Sequence, residues 1–222
     1  MKTVGYAAHT DDAKLVPYHF ERRDLRENDV AIEILYCGVC HSDLHTVNGD
    51  WGPQPYPLIP GHEIVGVVTS VGPRVKKYHV GDHVAVGCMV DSCMHCDQCE
   101  HGEEQFWRNG MTPTYGAPDR LSGEVTQGGY AKHIVVREEF VLRVPENMDL
   151  AKTAPILCAG ITTFSPLRTW NVGLGSRVGV IGLGGLGHMA VKLAVAMGAE
   201  VTVISRNKNK EEEAKALGAK GI

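Results

Sequence analysis

Six consecutive residues, Cys40-His41-Ser42-Asp43-Leu44-His45, set a thiol, a hydroxyl, a carboxylate and two imidazoles side by side. Such a stretch can supply a metal ligand and a path for protons. His62 follows Cys40 after 22 residues, and Cys158 lies much further along the chain. Two cysteines and one histidine make a three-ligand set of the kind that holds a catalytic zinc and leaves a position for water or substrate. Glu63, beside His62, is a candidate fourth or transient ligand. Cys158 by itself reads more simply as a buried thiol, because free cysteine is among the most buried residue types. The assignment rests on the combination.

A second thiol group, Cys93-x2-Cys96-x2-Cys99, has the dense spacing with which a tight turn points neighbouring sulfurs at one ion. A closed structural zinc site needs four ligands, and three cysteines lie here. Further on, Gly182-Leu183-Gly184-Gly185-Leu186-Gly187 fits G-x-G-x-x-G, with an apolar strand pattern before it and a helical one after it. That context makes it a dinucleotide fingerprint, in which Gly182, Gly184, Gly185, Leu186 and Gly187 bring backbone N–H groups and a helix N-terminus to a pyrophosphate. An NAD site places Asp or Glu about 20 residues later to bind the ribose hydroxyls. This chain instead has Ser205-Arg206-Asn207-Lys208-Asn209-Lys210, with three cations and no carboxylate. Ser205, Arg206 and Lys210 therefore suit a 2′-phosphate, and the expected cofactor is NADP.

Two kinds of element must position these groups. Residues 30–35, 63–71, 83–86 and 129–144 read as short strands, the last divided near Arg137-Glu138-Glu139, and their spacing suits a small β-barrel or sandwich. After Pro145 the pattern changes. A helix is expected over 149–167 with Asp149 as N-cap and Cys158 inside it, then strands at 178–182 and 201–204 alternating with helices over 186–197 and 207–217. This is an α/β run, and the boundary is placed near residue 150. The chain has 222 residues, 43% hydrophobic and 22% charged, with a formal net charge of −4. Nothing in that balance suggests a nucleic-acid or anionic-membrane partner. No apolar run is long enough to span a bilayer. The seven cysteines, an odd number after a start without a signal-peptide pattern, favour reduced thiols and a cytoplasmic setting over a disulfide framework.

Taken together, these motifs resemble the zinc alcohol dehydrogenases of the medium-chain dehydrogenase/reductase superfamily. The likeness lies in Gly61-His62-Glu63-x2-Gly66-x5-Gly72-x2-Val75, in Cys37 to His45, in Leu157-Cys158-Ala159-Gly160-Ile161-Thr162-Thr163 and in the glycine turn through His188. The pattern is most similar to the cinnamyl alcohol dehydrogenase branch, including its bacterial broad-specificity aldehyde reductases. The resemblance implies a GroES-like β-barrel catalytic domain (residues 1–150, with a zinc-binding lobe about 88–110) followed by an incomplete Rossmann domain (residues 151–222). It implies reduction of aldehydes to primary alcohols, and the reverse, with NADP(H) and zinc. Cys40, His62 and Cys158 would hold the catalytic ion with Glu63 in reserve, and Asp43 would fix the ring of His62. Ser42 would contact the substrate oxygen, His45 would pass the proton outward, and Trp51 would line the cleft. The full-length family form is a homodimer.

Two departures accompany the likeness. The family's fourth structural-zinc cysteine falls at Trp107, so His95, Asp97, His101 or Glu104 would have to replace it, or the site is weak. The later Rossmann strands are also not contained in the 222 residues, which suggests a piece of a longer enzyme, and these residues alone are expected to bind NADPH poorly. Two rivals are a zinc-free quinone reductase, which would lack the cysteine and histidine ligands, and a non-catalytic zinc-binding or interaction module that has lost part of its cofactor domain.

Overall fold

The computed structural model describes residues 1–11 and 14–221, so Ile222 lies outside the described residues. It divides into two compact units, the first ending at Leu157 and the second running from Cys158.

The first unit opens with a hairpin of β1 (Lys2–Ala7) and β2 (Val16–Glu21). Its centre is β3 (Asp29–Cys37), followed by helix α1 (His41–Val47) and β4 (Ile64–Val71). Next come β5 (His83–Val86), β6 (Met89–Asp91), the short helix α2 (Asp97–Glu100) and β7 (Thr112–Pro113). The unit closes with β8 (His133–Arg137), β9 (Leu142–Arg143) and helix α3 (Leu150–Thr153). Five strands form an antiparallel sheet in the order β8-β3-β4-β5-β9. Val30, Ile32 and Ile34 on β3 join Ile64, Val68, Val84, Val86, Ile134 and Val136 in its core. Each such fully buried aliphatic side chain contributes roughly 1.5–3 kcal/mol relative to exposure.

Among the described residues these strands do not close a hydrogen-bonded barrel. The β1–β2 hairpin meets the β8 side through the isolated bridge Gly5↔Ala131, its flanking backbone bonds to Tyr130 and Lys132, and the contact of Thr3 with His133, without a continuous strand ladder. At the other edge β9 pairs with β5 over two residues, because a 3₁₀ turn at Glu138–Phe140 interrupts the chain before it. The GroES-like fold that the resemblance implies is present as this antiparallel layer, while the sheet is open rather than closed into the expected barrel.

β3 and β4 do the positioning. Their register pairs Ile34 with Gly66 and Cys37 with Ile64. A Cβ on Gly66 would stand 2.2 Å from the Glu33 carbonyl oxygen, so only glycine permits this close approach of strands. The register brings the residues just after β3 and those just before β4 out of the sheet at the same end.

The second unit has helix α4 (Ala159–Thr169), β10 (Arg177–Ile181), α5 (Gly185–Ala196), β11 (Glu200–Ile204) and α6 (Glu211–Ala216). β10 and β11 are parallel, with Arg177 opposite Glu200 and Ile181 opposite Ile204. Val180, Val191, Ala194, Val201, Val203 and Ala214 form its core. Gly221 makes an isolated parallel bridge to Thr202. Gly198 and Gly218 take φ values of 90° and 97° after α5 and α6, the left-handed geometry of C-terminal glycines.

The helix expected over 149–167 is broken. Asp149 does cap α3, accepting from the Ala151 and Lys152 amides. Residues Ala154–Leu157 then tighten into a 3₁₀ turn around Pro155, which has no N–H to continue an α-helix. Cys158 follows as the N-cap of α4, at φ −124° and ψ −67°, rather than inside a helix.

Candidate functional site

Helix α1 is built from the opening stretch itself. The Cys40 sulfur accepts from the Ser42 amide at 3.4 Å, and Asp43 Oδ2 accepts from the Cys40 amide at 3.1 Å. This is a capping box with a thiol in the usual place of a hydroxyl. The Cys40 thiol, a His62 ring nitrogen and a Glu63 carboxylate oxygen lie within 4.8 Å of one another. Gly38 donates its amide to the Glu63 carbonyl at 2.9 Å. A Cβ on Gly38 would fall 2.0 Å from Glu63 Oε2, so the carboxylate occupies the space that a side chain would fill. Cys158 is buried and follows Leu157, itself in a core with Val65, Ala85 and Ala154.

Asp43 organises the group. Its Oδ1 accepts from the Gly61 amide (2.9 Å), His62 Nδ1 (2.9 Å) and the Tyr115 hydroxyl (2.8 Å). Its Oδ2 accepts from the Cys40 amide and from the Tyr130 hydroxyl at 2.8 Å. Burial at 2% exposure opposes its charge, yet the His62 bond and the other donors outweigh that and hold the carboxyl below its ordinary value. The reciprocal effect appears on the tyrosines: burial first, then the Asp43 charge, pushes Tyr115 and Tyr130 well above the usual phenol range. A carboxylate at Nδ1 sets the tautomer in which Nε2 carries the lone pair, the form in which histidine binds metal. Buried thiol, imidazole and carboxylate donors with this support fit zinc.

Sequence reasoning found Asp43 and missed Tyr115 and Tyr130, which lie 72 and 87 residues away and carry no local motif. It also missed Asp50, whose Oδ2 lies 2.8 Å from His45 Nδ1. His45 is half-buried, and its ring centroid is 5.2 Å from that of Trp51, which is largely exposed. Ser42 is half-buried in the first turn of α1.

In the lobe, Cys99 Sγ lies 3.5 Å from that of Cys96 and 3.8 Å from that of Cys93. The amides of Cys99 and Arg108 draw the Cys96 thiol down to about 7. Among the described residues the three thiols form this group without His95, Asp97, His101 or Glu104. Asp97 instead pairs with Arg108, and His101 Nδ1 lies 2.7 Å from the Asp97 carbonyl oxygen. Trp107 is half-buried after the 3₁₀ turn Glu104–Phe106. This set is one ligand short of a closed zinc site.

In the second unit the glycine turn joins β10 to α5. Gly182 has φ 86°, and a Cβ on Gly187 would stand 2.1 Å from the Gly182 carbonyl oxygen. Among the described residues, nothing lies within 4 Å of where a Cβ on Gly184 or Gly185 would be. The turn is thus tight on its strand side and open on its outer side, where a pyrophosphate needs backbone, and the residues fit a dinucleotide. Leu186 is exposed in the first turn of α5. Beyond β11, Arg206 is exposed and Ser205 Oγ accepts from the Asn207 amide at 3.2 Å. Lys210 turns to Glu213 Oε2 at 2.7 Å. The Lys208 side chain lies outside the described residues.

Residues 26–146 match the family model described as alcohol dehydrogenase GroES-like domain, and residues 185–222 match the one described as zinc-binding dehydrogenase. The chain is 55% identical over 221 residues to NADP-dependent alcohol dehydrogenase C 1 of Mycolicibacterium smegmatis, covering 99% of this chain and 63% of that protein. It is 53% identical over 220 residues to aldehyde reductase YahK of Escherichia coli, again covering 99% and 63%. The chain therefore spans just over three fifths of the length of these curated relatives, 63% in both cases. Among solved structures, the CAD of Helicobacter pylori complexed with NADP(H) superposes with a TM-score of 0.96 at 47% identity, covering 100% of this chain and 64% of that one.

Proposed function

The chain belongs to the alcohol dehydrogenase family with a GroES-like domain, and from that premise we propose that the whole protein is a zinc-dependent oxidoreductase interconverting aldehydes and primary alcohols with NADP(H). The observation that carries this reading is the buried Asp43 carboxylate holding His62 Nδ1 beside Cys40 and Glu63. Cys40, His62 and Cys158 hold the catalytic zinc, and Glu63 stands as an alternative ligand. When bound, zinc supplies a Lewis acid for the substrate oxygen, and the reduced nicotinamide supplies the hydride. Asp43 keeps the His62 ring in its metal-binding tautomer. The Ser42 hydroxyl hydrogen-bonds the substrate oxygen, and His45, oriented by Asp50, moves the proton outward; a histidine suits that task because it titrates near neutrality. Trp51 borders the cleft beside His45.

For the cofactor, Gly182, Gly184, Gly185, Leu186 and Gly187 carry the pyrophosphate at the N-terminus of α5. Ser205, Arg206 and Lys210 hold the 2′-phosphate, for which the lack of a carboxylate in the stretch 205–210 directly after β11 speaks. Cys93, Cys96 and Cys99 take a second, less firmly held zinc. The domain division near residue 150, the homodimer and the cytoplasmic setting belong to the same reading. Seven free thiols support the last, and no described helix is long and apolar enough to cross a membrane. The test measures zinc per chain together with oxidation of NADPH and of NADH by an aromatic aldehyde. Turnover with NADPH, lost in Arg206→Ala to the extent of about tenfold in KM while NADH kinetics hold, is the expected result. A zinc-loaded protein without aldehyde-dependent NADPH oxidation would sink the proposal.

A further inference from the structure

Arg22 follows β2 and is buried, with both of its backbone groups bonded to Met1. Its guanidinium donates to three backbone carbonyls: Nε to His133 at 2.9 Å, Nη2 to Gly128 at 2.6 Å, and Nη1 to Gln127. Among the described residues no ion pair joins it to a carboxylate, whereas Arg23 beside it takes Asp29 and Asp119. Burial first, and then Arg23, draws the Arg22 guanidinium down to about 9, so it stays charged at neutral pH. Burying a cation without a counter-ion is unfavourable unless its donors are used. Here a planar fork meets three oxygens at once, which a point-like ammonium cannot do.

Two of those oxygens belong to the segment 127–130, whose other side locks onto the residues before His62. Gln127 Oε1 accepts from the Ile59 amide at 2.7 Å, and the Gly128 amide donates to the Ile59 carbonyl at 2.6 Å. The Gly129 amide donates to Gly61 at 2.8 Å, and the Tyr130 amide to Pro60 at 3.0 Å. The seam has no slack. A Cβ on Gly128 would stand 2.4 Å from the Pro60 carbonyl oxygen, and one on Gly61 would stand 2.6 Å from the Tyr130 ring. Beyond the seam, the Tyr130 hydroxyl and the Gly61 amide both donate to Asp43, the carboxylate that holds His62 Nδ1. The Tyr130 carbonyl also accepts from the Tyr6 amide on β1 at 2.8 Å, so the hairpin grips this segment at two points.

We propose that Arg22 is a positioning residue for the metal site: its guanidinium fixes the segment 127–130 and, through the Tyr130 hydroxyl, the Asp43 carboxylate that orients His62. The inference deepens the zinc reading above and rests on it. Asp43 orders His62 only as firmly as its own donors are held. The Tyr130 hydroxyl arrives on a chain that passes through Gly128 and Gly129, and glycine backbone is the freest to turn. The fork removes that freedom before an ion arrives, so that binding the ion does not have to.

The test compares three variants of the intact protein: R22K, which keeps the charge and loses the fork, Y130F, which loses the hydroxyl, and the two combined. Competition with a chelator, with no dinucleotide present, measures affinity for the core zinc, identified as the ion that H62A removes. Each single variant is expected to lose about tenfold in that affinity. With Y130F already in place, R22K is expected to cost less than about twofold more, because both act through one hydroxyl. In the ion-free protein the NMR signal of the His62 Nδ1 proton is expected to shift in R22K toward its position in Y130F, which lower stability alone would not produce. Either an unchanged core affinity or an unmoved His62 signal in folded R22K overturns the proposal. So does a loss that adds in full to that of Y130F. R22Q, which removes the buried charge, repeats the cycle should R22K not fold; failure of both to fold shows that Arg22 serves the fold alone and overturns the proposal too. An unmodified protein that holds no ion removable by H62A overturns the zinc reading itself, and that result is told apart because no variant at Arg22 enters it.

Discussion

Around Cys40 and His62 each polar neighbour is anchored by something buried, whereas around Cys93, Cys96 and Cys99 the neighbours hold mainly one another. The first group is tied to a carboxylate with five donors, two of them tyrosines from distant parts of the chain. The second group is three thiols that contact each other, the Ser92 hydroxyl at 3.4 Å from Cys99 Sγ, and the backbone of their own lobe, through the Cys99 and Arg108 amides at Cys96. Both share the chemistry of a metal site. The difference lies in what fixes the ligands before an ion arrives. A ligand set that is already ordered loses little freedom on binding, whereas a mobile set must be ordered by the ion. The core group is therefore read as the one on which chemistry depends, and the lobe as a weaker hold.

That contrast can be broken most directly at His62. His62→Ala is expected to remove the core ion and lower aldehyde-dependent turnover by at least about 100-fold, while Cys99→Ser leaves turnover unchanged. Metal analysis and NADPH oxidation on both variants check this, and equal losses would erase the distinction. Next comes the carboxylate. Asp43→Ala leaves five donors facing a void and is expected to destabilise the first unit by about 3 kcal/mol or more in denaturant unfolding. Asp43→Asn keeps the shape and should cost about 10–100-fold in zinc affinity. An unfolding midpoint unmoved by Asp43→Ala would show that the network is not what holds the group.

The lobe offers the converse experiment. Trp107→Cys supplies a thiol at the family's fourth position and is expected to slow release of lobe metal to a chelator. Unchanged release would mean that residue 107 does not reach the thiols. The smallest effect concerns charge away from either group. Burial disfavours the ionised form of Asp119, but Arg26 and the Ser122 and Leu121 amides outweigh it and hold the carboxyl well below the usual range. A depressed carboxyl contributes stability that is complete above its unfolded value of about 3.9 and is lost as pH falls through the lower folded value. The unfolding midpoint of the protein should therefore drop more steeply below about pH 4 than that of Asp119→Asn. Parallel acid limbs would refute this.

Much of the fold was legible because its signals were local. The period-two run at Val30, Ile32 and Ile34 and the glycine turn between strand and helix both stand where the pattern places them. Cys40, His62 and Glu63 come together because strand register, which the sequence only hints at, returns the chain beside itself. Helix α1 was not legible. Its residues are mostly His, Ser, Asp and Thr, weak helix formers without an apolar period, and its cap is a cysteine. The break at Pro155 was overlooked because the apolar spacing on either side is helical. Tyr115 and Tyr130 reach Asp43 only through tertiary folding, and no spacing rule announces them.

The close approach at Gly66 and Gly38 has a further meaning for how this site tolerates change. The separation of Cys40 from His62 is set across two paired strands, at Gly66, where a Cβ would meet the Glu33 carbonyl, and just beyond them at Gly38, where it would meet the Glu63 carboxylate. Apart from Asp43 and Gly61 at its two ends, which the Asp43 carboxylate joins to the ligands, it is not set along the 21 residues that connect them in sequence. The length of that connecting segment and the bite of the metal site are thus independent variables. The segment that carries His45, Asp50 and Trp51 can lengthen or shorten to suit a substrate while the grip on the ion stays the same.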